Sequence, residues 1–492
     1  MTAVARPAAA ATVRAPAAID VPELVVWALG LLMAIDYLGL TSEFGILKVL
    51  RVGTLLAYGM FAVVVAKGGL VPAASTRQGK LLLGLMGMAA ASIMYGLVRS
   101  YAPVALRAHV DYFVLFVVSA SVVDRRSRVT KLAVVATAII LVLVARNLEP
   151  LTSSMRVAAF KAGVFMGDGN DFAWGLVALM PLPFYLMAGR HALLLRLVGF
   201  AGAAAVVFGV VGTQSRGATL GIVAAGLYYF VVLSKRRLVT LVVIAVLAGG
   251  ALALSPESYL GRVTDTDVAN DSSAQGRLRA WRSAVRMALD YPLGVGAGSF
   301  NSAYGRFYME APDGVFASAR WISAHSIYFK VLGEFGFIGL ALLIGLLTAN
   351  VRDNRRSQRA ARDHPDRVMI EDRWPALLNL GMTGYAVAGA FLGGLTYPHL
   401  YLLSGLIVAC RRMTVDRLGD TPGEPVEATA AAAPQLSIHP MLRPRPQPTP
   451  ALPGPAAGRL IGPGPSRVAR TSVSHGSRRT GPPPHPSRAA ES

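Results

Sequence analysis

The chain has 492 residues, 54% of them hydrophobic and only 15% charged, with a mean hydropathy of +0.50. Soluble domains are about a quarter charged, so this composition excludes a soluble globular protein. The net charge of +21 sits in short loops between apolar runs, as in cytoplasmic loops of membrane proteins, and no nucleic-acid partner is expected. A single cysteine, Cys410, excludes an internal disulfide and a cysteine-based metal cluster.

Residues 1–20 are alanine-rich with Arg6 and Arg14, and are read as a disordered N-terminus. The first apolar run, 21–40, is too long for the h-region of a signal peptide, so it reads as an uncleaved first span. Apolar runs then recur at 45–66, 80–98, 104–123, 129–146, 172–189, 192–212, 217–233, 238–255, 325–349, 376–396 and 398–411. With the first, they make an all-α polytopic membrane protein of about twelve transmembrane helices. Basic clusters follow every second run: Lys67 with Arg77, Arg125 with Arg126, Arg190 with Arg196, Lys235 with Arg236, Arg352 with Arg355, and Arg411 with Arg412. The positive-inside rule then makes both termini cytoplasmic and puts the loop 256–324 outside.

Three outward segments carry polar residues. The first contains GDGNDFAW, with Asp168, Asn170 and Asp171; the second is the turn GTQSRGA, with Ser215 and Arg216. The third is the long loop. Its stretch from Gly276 to Tyr291 predicts a helix, with Leu278, Trp281, Val285 and Leu289 on one face and Arg279, Arg282 and Arg286 on another. Ser272 or Ser273 caps its start and Pro292 ends it. Such a helix lies in the membrane interface. The following PLGVGAGSF offers Gly296 and Gly298, where a backbone free of side chains could approach a ligand. From 413 to 492 the chain turns to proline, alanine and arginine and is read as a disordered cytoplasmic tail.

Arginine suits phosphate because it stays charged and donates two parallel hydrogen bonds. Arg216 at a helix end and Arg277 after Gly276 are therefore candidates for an anionic ligand, weighed against arginines that merely snorkel to the interface. His325, where the chain re-enters the bilayer, is either a structural hydrogen-bonder or a group that takes a proton near neutral pH. Asp36, His109 and Asp111 are ionisable residues inside spans, and Tyr397 and His399 occupy the last outward turn.

The ordered set SRGA (215–218), Gly276-Arg277 followed by Trp281, PLGVGAGSF (292–300) and AHSIYFKVLGEFGFIG (324–339) resembles the O-antigen ligase and polymerase superfamily. The resemblance covers roughly 20 to 412. The segment 169–186 further resembles the exosortase-associated O-glycosylation ligases. One departure is Ser326, where the family usually has asparagine after the histidine. The resemblance implies a glycosyltransferase of the bacterial inner membrane, joining or polymerising glycans carried on undecaprenyl pyrophosphate. It implies that Arg216 and Arg277 bind the pyrophosphate and that His325 serves the acceptor hydroxyl, which belongs to a glycan, lipid or protein. Asp168, Asn170, Asp171, Ser215, Gly296 and Gly298 would line the donor or acceptor, and the reaction would be inverting, with no metal or other cofactor. A transporter or lipid-linked glycan flippase is the competing reading, but those folds place polar groups near the midplane in broken helices.

Overall fold

A computed structural model describes residues 20–153, 159–253, 272–309 and 322–420. Helices account for nearly all regular structure, and no strand occurs among the described residues. The principal helices are α1 (Glu23–Leu38), α2 (Val52–Ala66), α3 (Arg77–Tyr95), α4 (Ala102–Val122), α5 (Arg126–Arg146), α6 (Gly169–Leu179) and α7 (Pro181–Ala188). They continue with α8 (Leu193–Gly212), α9 (Arg216–Tyr228), α10 (Arg237–Ala253), α11 (Ser272–Asp290), α12 (Ile327–Asp363), α13 (Arg373–Gly389) and α14 (Pro398–Arg411).

Six helical segments among the described residues are long and apolar enough to cross a membrane: Arg99–Val122, Arg126–Arg146, Gly169–Ala188, Leu193–Gly212, Arg216–Leu233 and Ile327–Asp363. The other expected spans coincide with helices of 14 to 19 residues, under the roughly 20 that cross about 30 Å of hydrocarbon. Local chemistry ends several of them early. Gly39 closes α1 in a left-handed C-cap (φ 68°). Tyr397-Pro398 forces extended backbone and then starts α14 with proline in its first turn.

The bundle is tight where small residues meet. A Cβ at Gly221 of α9 would come within 2.8 Å of the Ala388 Cβ and of the Gly384 carbonyl oxygen on α13, and one at Gly217 within 2.7 Å of the Phe391 Cβ. Gly217 and Gly221 thus form a small-xxx-small seam, the usual way for membrane helices to approach closely. Arg128, one of the basic residues after α4, is not a solvated charge. It is 1% exposed and bonds Glu23, Asp124 and the Val122 carbonyl at 3.1 Å each.

Two boundaries differ from the sequence reading. The span expected at 325–349 continues as α12 for 37 residues, about 55 Å at 1.5 Å per residue. Its far half buries a polar face, where Asn350 donates to Ser404 at 2.9 Å, Asn354 to Asn379 at 3.1 Å, and Gln78 to Asp353 at 3.1 Å. These pairs keep a charged sequence helical beyond its apolar part. The chain also remains helical past 413: Arg412–Asp416 forms a π turn, Arg417–Asp420 a last helical turn, and Met413 and Thr414 are buried. The N-terminus before 20, the tail after 420, and parts of the loop 256–324 lie outside the described residues.

Candidate functional site

The site is assembled from the starts of α6, α9 and α12, the loop-borne helix α11, and the turn between α13 and α14. Arg216 is the first residue of α9, after the N-cap Ser215. A cation there opposes the helix dipole, so helix stability does not account for it. The preceding residue, Gln214, is held at φ 55°, and Ser215 Oγ accepts from the Ala218 N–H. His325 repeats this arrangement. It sits at φ 43°, followed by Ser326, whose hydroxyl caps α12 by accepting from the Phe329 N–H at 3.5 Å. Left-handed backbone is uncommon outside glycine, and a residue kept in it is over-determined by its surroundings. Ser326 also explains the departure at that position, since serine and asparagine are equivalent N-caps.

Several contacts draw these starts together. The Trp281 indole donates to the Ala324 carbonyl at 2.8 Å, and its ring stacks on Phe329 with centroids 4.9 Å apart and an 11° interplanar angle. Trp281 also lies 6.3 Å from Phe391, the residue against which Gly217 packs. A Cβ at Gly393 would come within 3.5 Å of the His325 Cα. One cluster, Trp281 with Phe329 and Phe391, thus joins the segments bearing Arg216, Arg277 and His325. Arg277 is one helical turn before Trp281, and Arg216 and His325 are half-buried.

The acidic segment is tied into the same end. Asp168 caps α6, its Oδ1 accepting the N–H groups of Asn170 at 2.6 Å and Asp171 at 3.0 Å. Ser215 Oγ donates to Asn170 Oδ1 at 2.9 Å, and Tyr397 Oη donates to Asp171 Oδ2 at 2.7 Å. Lys330, one turn into α12, is close enough for its charge to act on Asp171. Sequence reasoning missed Lys330 because it stands inside an apolar run. The only signal for Tyr397 was its place in an outward turn.

The glycine turn, with Gly296 and Gly298, packs closely on the rest of the protein. Gly294, Gly296 and Gly298 all have positive φ, but their close approaches are to the protein itself. A Cβ at Gly296 would come within 2.7 Å of the Gly96 Cα, and one at Gly298 within 3.3 Å of the Tyr101 Cβ. The Val295 N–H donates to the Gly333 carbonyl at 2.9 Å and the Gly296 N–H to the Glu334 carbonyl at 3.0 Å. Those carbonyls are open because Gly336 (φ 61°, ψ −158°) interrupts α12. PLGVGAGSF and GEFGFIG are therefore complementary halves of one packing motif, and they position the loop that carries α11.

The expected helix at 276–291 is α11, which starts four residues earlier. Its buried seam is Ala280, Ala284, Met287 and Ala288, whereas Val285 and Leu289 of the anticipated apolar face are 40% and 65% exposed. His109 is fully buried, its Nδ1 hydrogen-bonded to the Tyr401 hydroxyl at 2.6 Å, which suits a structural role. Asp36 and Asp111 line a separate cavity of about 390 Å³, where Asp111 accepts from Tyr58 at 2.7 Å. Among the described residues no group of three or more histidine, cysteine or acidic side chains is placed to hold a metal ion.

Residues 201–344 match the O-antigen ligase family, and this segment contains Arg216, Arg277 and His325. No curated protein matches the chain.

Proposed function

We propose, from the O-antigen ligase domain that this chain carries at residues 201–344, that it transfers or polymerises a glycan from an undecaprenyl-pyrophosphate carrier onto an acceptor hydroxyl at the outer face of the bacterial inner membrane. The observation that carries this reading is the Trp281 cluster, which links α9, α11 and the His325 segment at one end of the bundle.

In this reading Arg216 and Arg277 grip the pyrophosphate. The start of α9 adds its own partial positive charge, since the first turn of a helix favours anions. The acceptor oxygen attacks the anomeric carbon, the bond from that carbon to the phosphate oxygen breaks, and undecaprenyl pyrophosphate departs. The guanidinium groups offset the charge that grows on the leaving oxygen, a role for pre-positioned cations. His325 takes the proton from the acceptor hydroxyl. A single displacement inverts the anomeric centre. Asp168, Asn170, Asp171 and Ser215 hold the floor of this end of the bundle, with Asp171 and Tyr397 facing the sugar. Gly296 and Gly298 support the loop that carries α11.

The test is reconstitution of the purified protein with a defined undecaprenyl-pyrophosphate glycan and candidate acceptors, with products resolved by mass and anomeric configuration read by NMR. Transfer with inversion supports the reading. Movement of the lipid-linked glycan across vesicles without transfer would make the protein a flippase instead.

A further inference from the structure

At the opposite end of the bundle, the turns after α7 and α9 and the end of α12 enclose a cavity of about 770 Å³. Arg126, Arg190, Arg196, Lys235, Arg362 and Arg373 line it, with the carboxylates Asp366, Glu371 and Asp372. Six cations against three carboxylates leave three net positive charges. Some of these groups build the wall. Arg126 pairs with Glu371 at 2.9 Å and donates to the Arg190 carbonyl at 2.8 Å, while Arg373 donates to the Ala188 carbonyl. The side chains of Arg190, Arg196, Lys235 and Arg362 are exposed and make no ion pair among the described residues. His191 Nε2 is buried in the same wall with no hydrogen-bond partner.

The surface beside this polar cavity is apolar. Leu193, Leu194 and Leu197 on α8 and Val231 and Val232 after α9 are between 47% and 71% exposed. A soluble anion would use the cavity and leave these helix faces unused. A ligand that matches both has an anionic head and hydrocarbon chains. We propose that the cavity holds the phosphate headgroup of an anionic phospholipid, in the leaflet opposite the one that Arg216 and His325 face. Basic pockets between membrane helices take such headgroups, and guanidinium forks meet two phosphate oxygens at once. The bound lipid bridges the α7–α8 turn, the α9–α10 turn and the end of α12. This site is independent of the glycan chemistry.

The test uses the full-length protein in dodecyl maltoside, titrated with phosphatidylglycerol, phosphatidylcholine, or glycerol 3-phosphate, and followed by native mass spectrometry and thermal unfolding. Phosphatidylglycerol should bind and raise Tm, because a ligand that binds only the folded state stabilises it. The triple variant Arg190→Gln, Arg196→Gln, Arg362→Gln should bind it about a hundredfold more weakly, at roughly a fivefold loss for each charge removed. A control with Lys67→Gln and Arg77→Gln, basic residues outside the cavity, should bind normally. If the triple variant is not recovered folded, Arg196→Gln and Arg362→Gln are made singly, each with an expected loss of about fivefold. Unchanged phosphatidylglycerol binding in the variants overturns the proposal. So does equal stabilisation by phosphatidylcholine, which removes the charge requirement, or by glycerol 3-phosphate, which removes the lipid.

Discussion

The indole of Trp281 donates its hydrogen bond to the carbonyl of Ala324, one residue before His325. This bond runs from the helix carrying Arg277 to the turn that holds His325 in left-handed backbone, so it couples two parts of the proposed catalytic apparatus. Trp281→Phe keeps the ring that stacks on Phe329 but removes the donor. A hydrogen bond contributes about 0.5–1.5 kcal/mol net, so transfer should fall by up to about tenfold with little change in Tm. Trp281→Ala also removes the stack and should lose far more. Equal activity of the Phe variant and wild type would show that the bond does not set the His325 geometry.

Arg216→Ala and Arg277→Ala should each lower transfer by about 10²–10³-fold, the usual effect of removing one stabiliser of transition-state charge. Lysine at either position should recover only part of the loss, because an ammonium cannot make the paired contact of a guanidinium. The measurement is initial rate of product formation by the purified variants. Alanine variants as fast as wild type would dismiss the pyrophosphate role.

The helices were legible from the sequence because apolar runs must bury or face lipid along their whole length. The contacts between motifs were not legible. PLGVGAGSF looked like a ligand-binding turn, since sequence shows that glycine permits close approach but not what approaches. Here it is Gly96, Tyr101 and the carbonyls freed by Gly336. Ser326 looked like a departure until its capping role was visible. The contacts of Trp281 with Ala324 and Phe329 depend on packing between elements far apart in the chain, which no local pattern encodes. Arg216, Arg277 and His325 could be singled out because each interrupts an apolar or glycine-rich context with a group that costs free energy there.

The glycines themselves separate into two predicted behaviours. At Gly336 the backbone is at φ 61° and a Cβ would overlap the Pro292 carbonyl oxygen. Gly336→Ala should cost at least about 1–3 kcal/mol from the backbone alone and lower both Tm and folded yield. At Gly276 nothing among the described residues lies within 4 Å of a Cβ. Gly276→Ala should leave Tm unchanged or raise it, since alanine favours a helix interior by up to about 1 kcal/mol. Thermal unfolding in detergent compares them directly, and a stable Gly336→Ala protein would contradict the packing described.

Orientation in the membrane can be read with single cysteines in a Cys410→Ser background. Leu289 on α11 is 65% exposed and Arg359 near the end of α12 is exposed. Leu289→Cys should react with an impermeant maleimide added outside intact cells, and Arg359→Cys should react only after the membrane is opened. The reverse result would invert the topology inferred from the basic clusters, and with it the leaflet assigned to each site.

His325 supplies the most demanding prediction. Its left-handed backbone is followed directly by the Ser326 cap that starts α12, and Gly393 packs beside both residues. Such a residue is expensive to hold in place, and its ring chemistry offers a proton acceptor near neutral pH. If it serves the acceptor hydroxyl, His325→Ala should lower single-turnover transfer by about 10²–10⁴-fold, the range for loss of one general base. Donor affinity should stay near wild type, since the pyrophosphate is assigned to Arg216 and Arg277. A structural role predicts another pattern: His325→Asn tolerates left-handed backbone well and would restore both folding and turnover. The catalytic reading therefore requires His325→Asn to fold like wild type, bind the lipid-linked donor, and still fail to transfer. Turnover recovered by asparagine would leave His325 a backbone residue and require another group to take the proton.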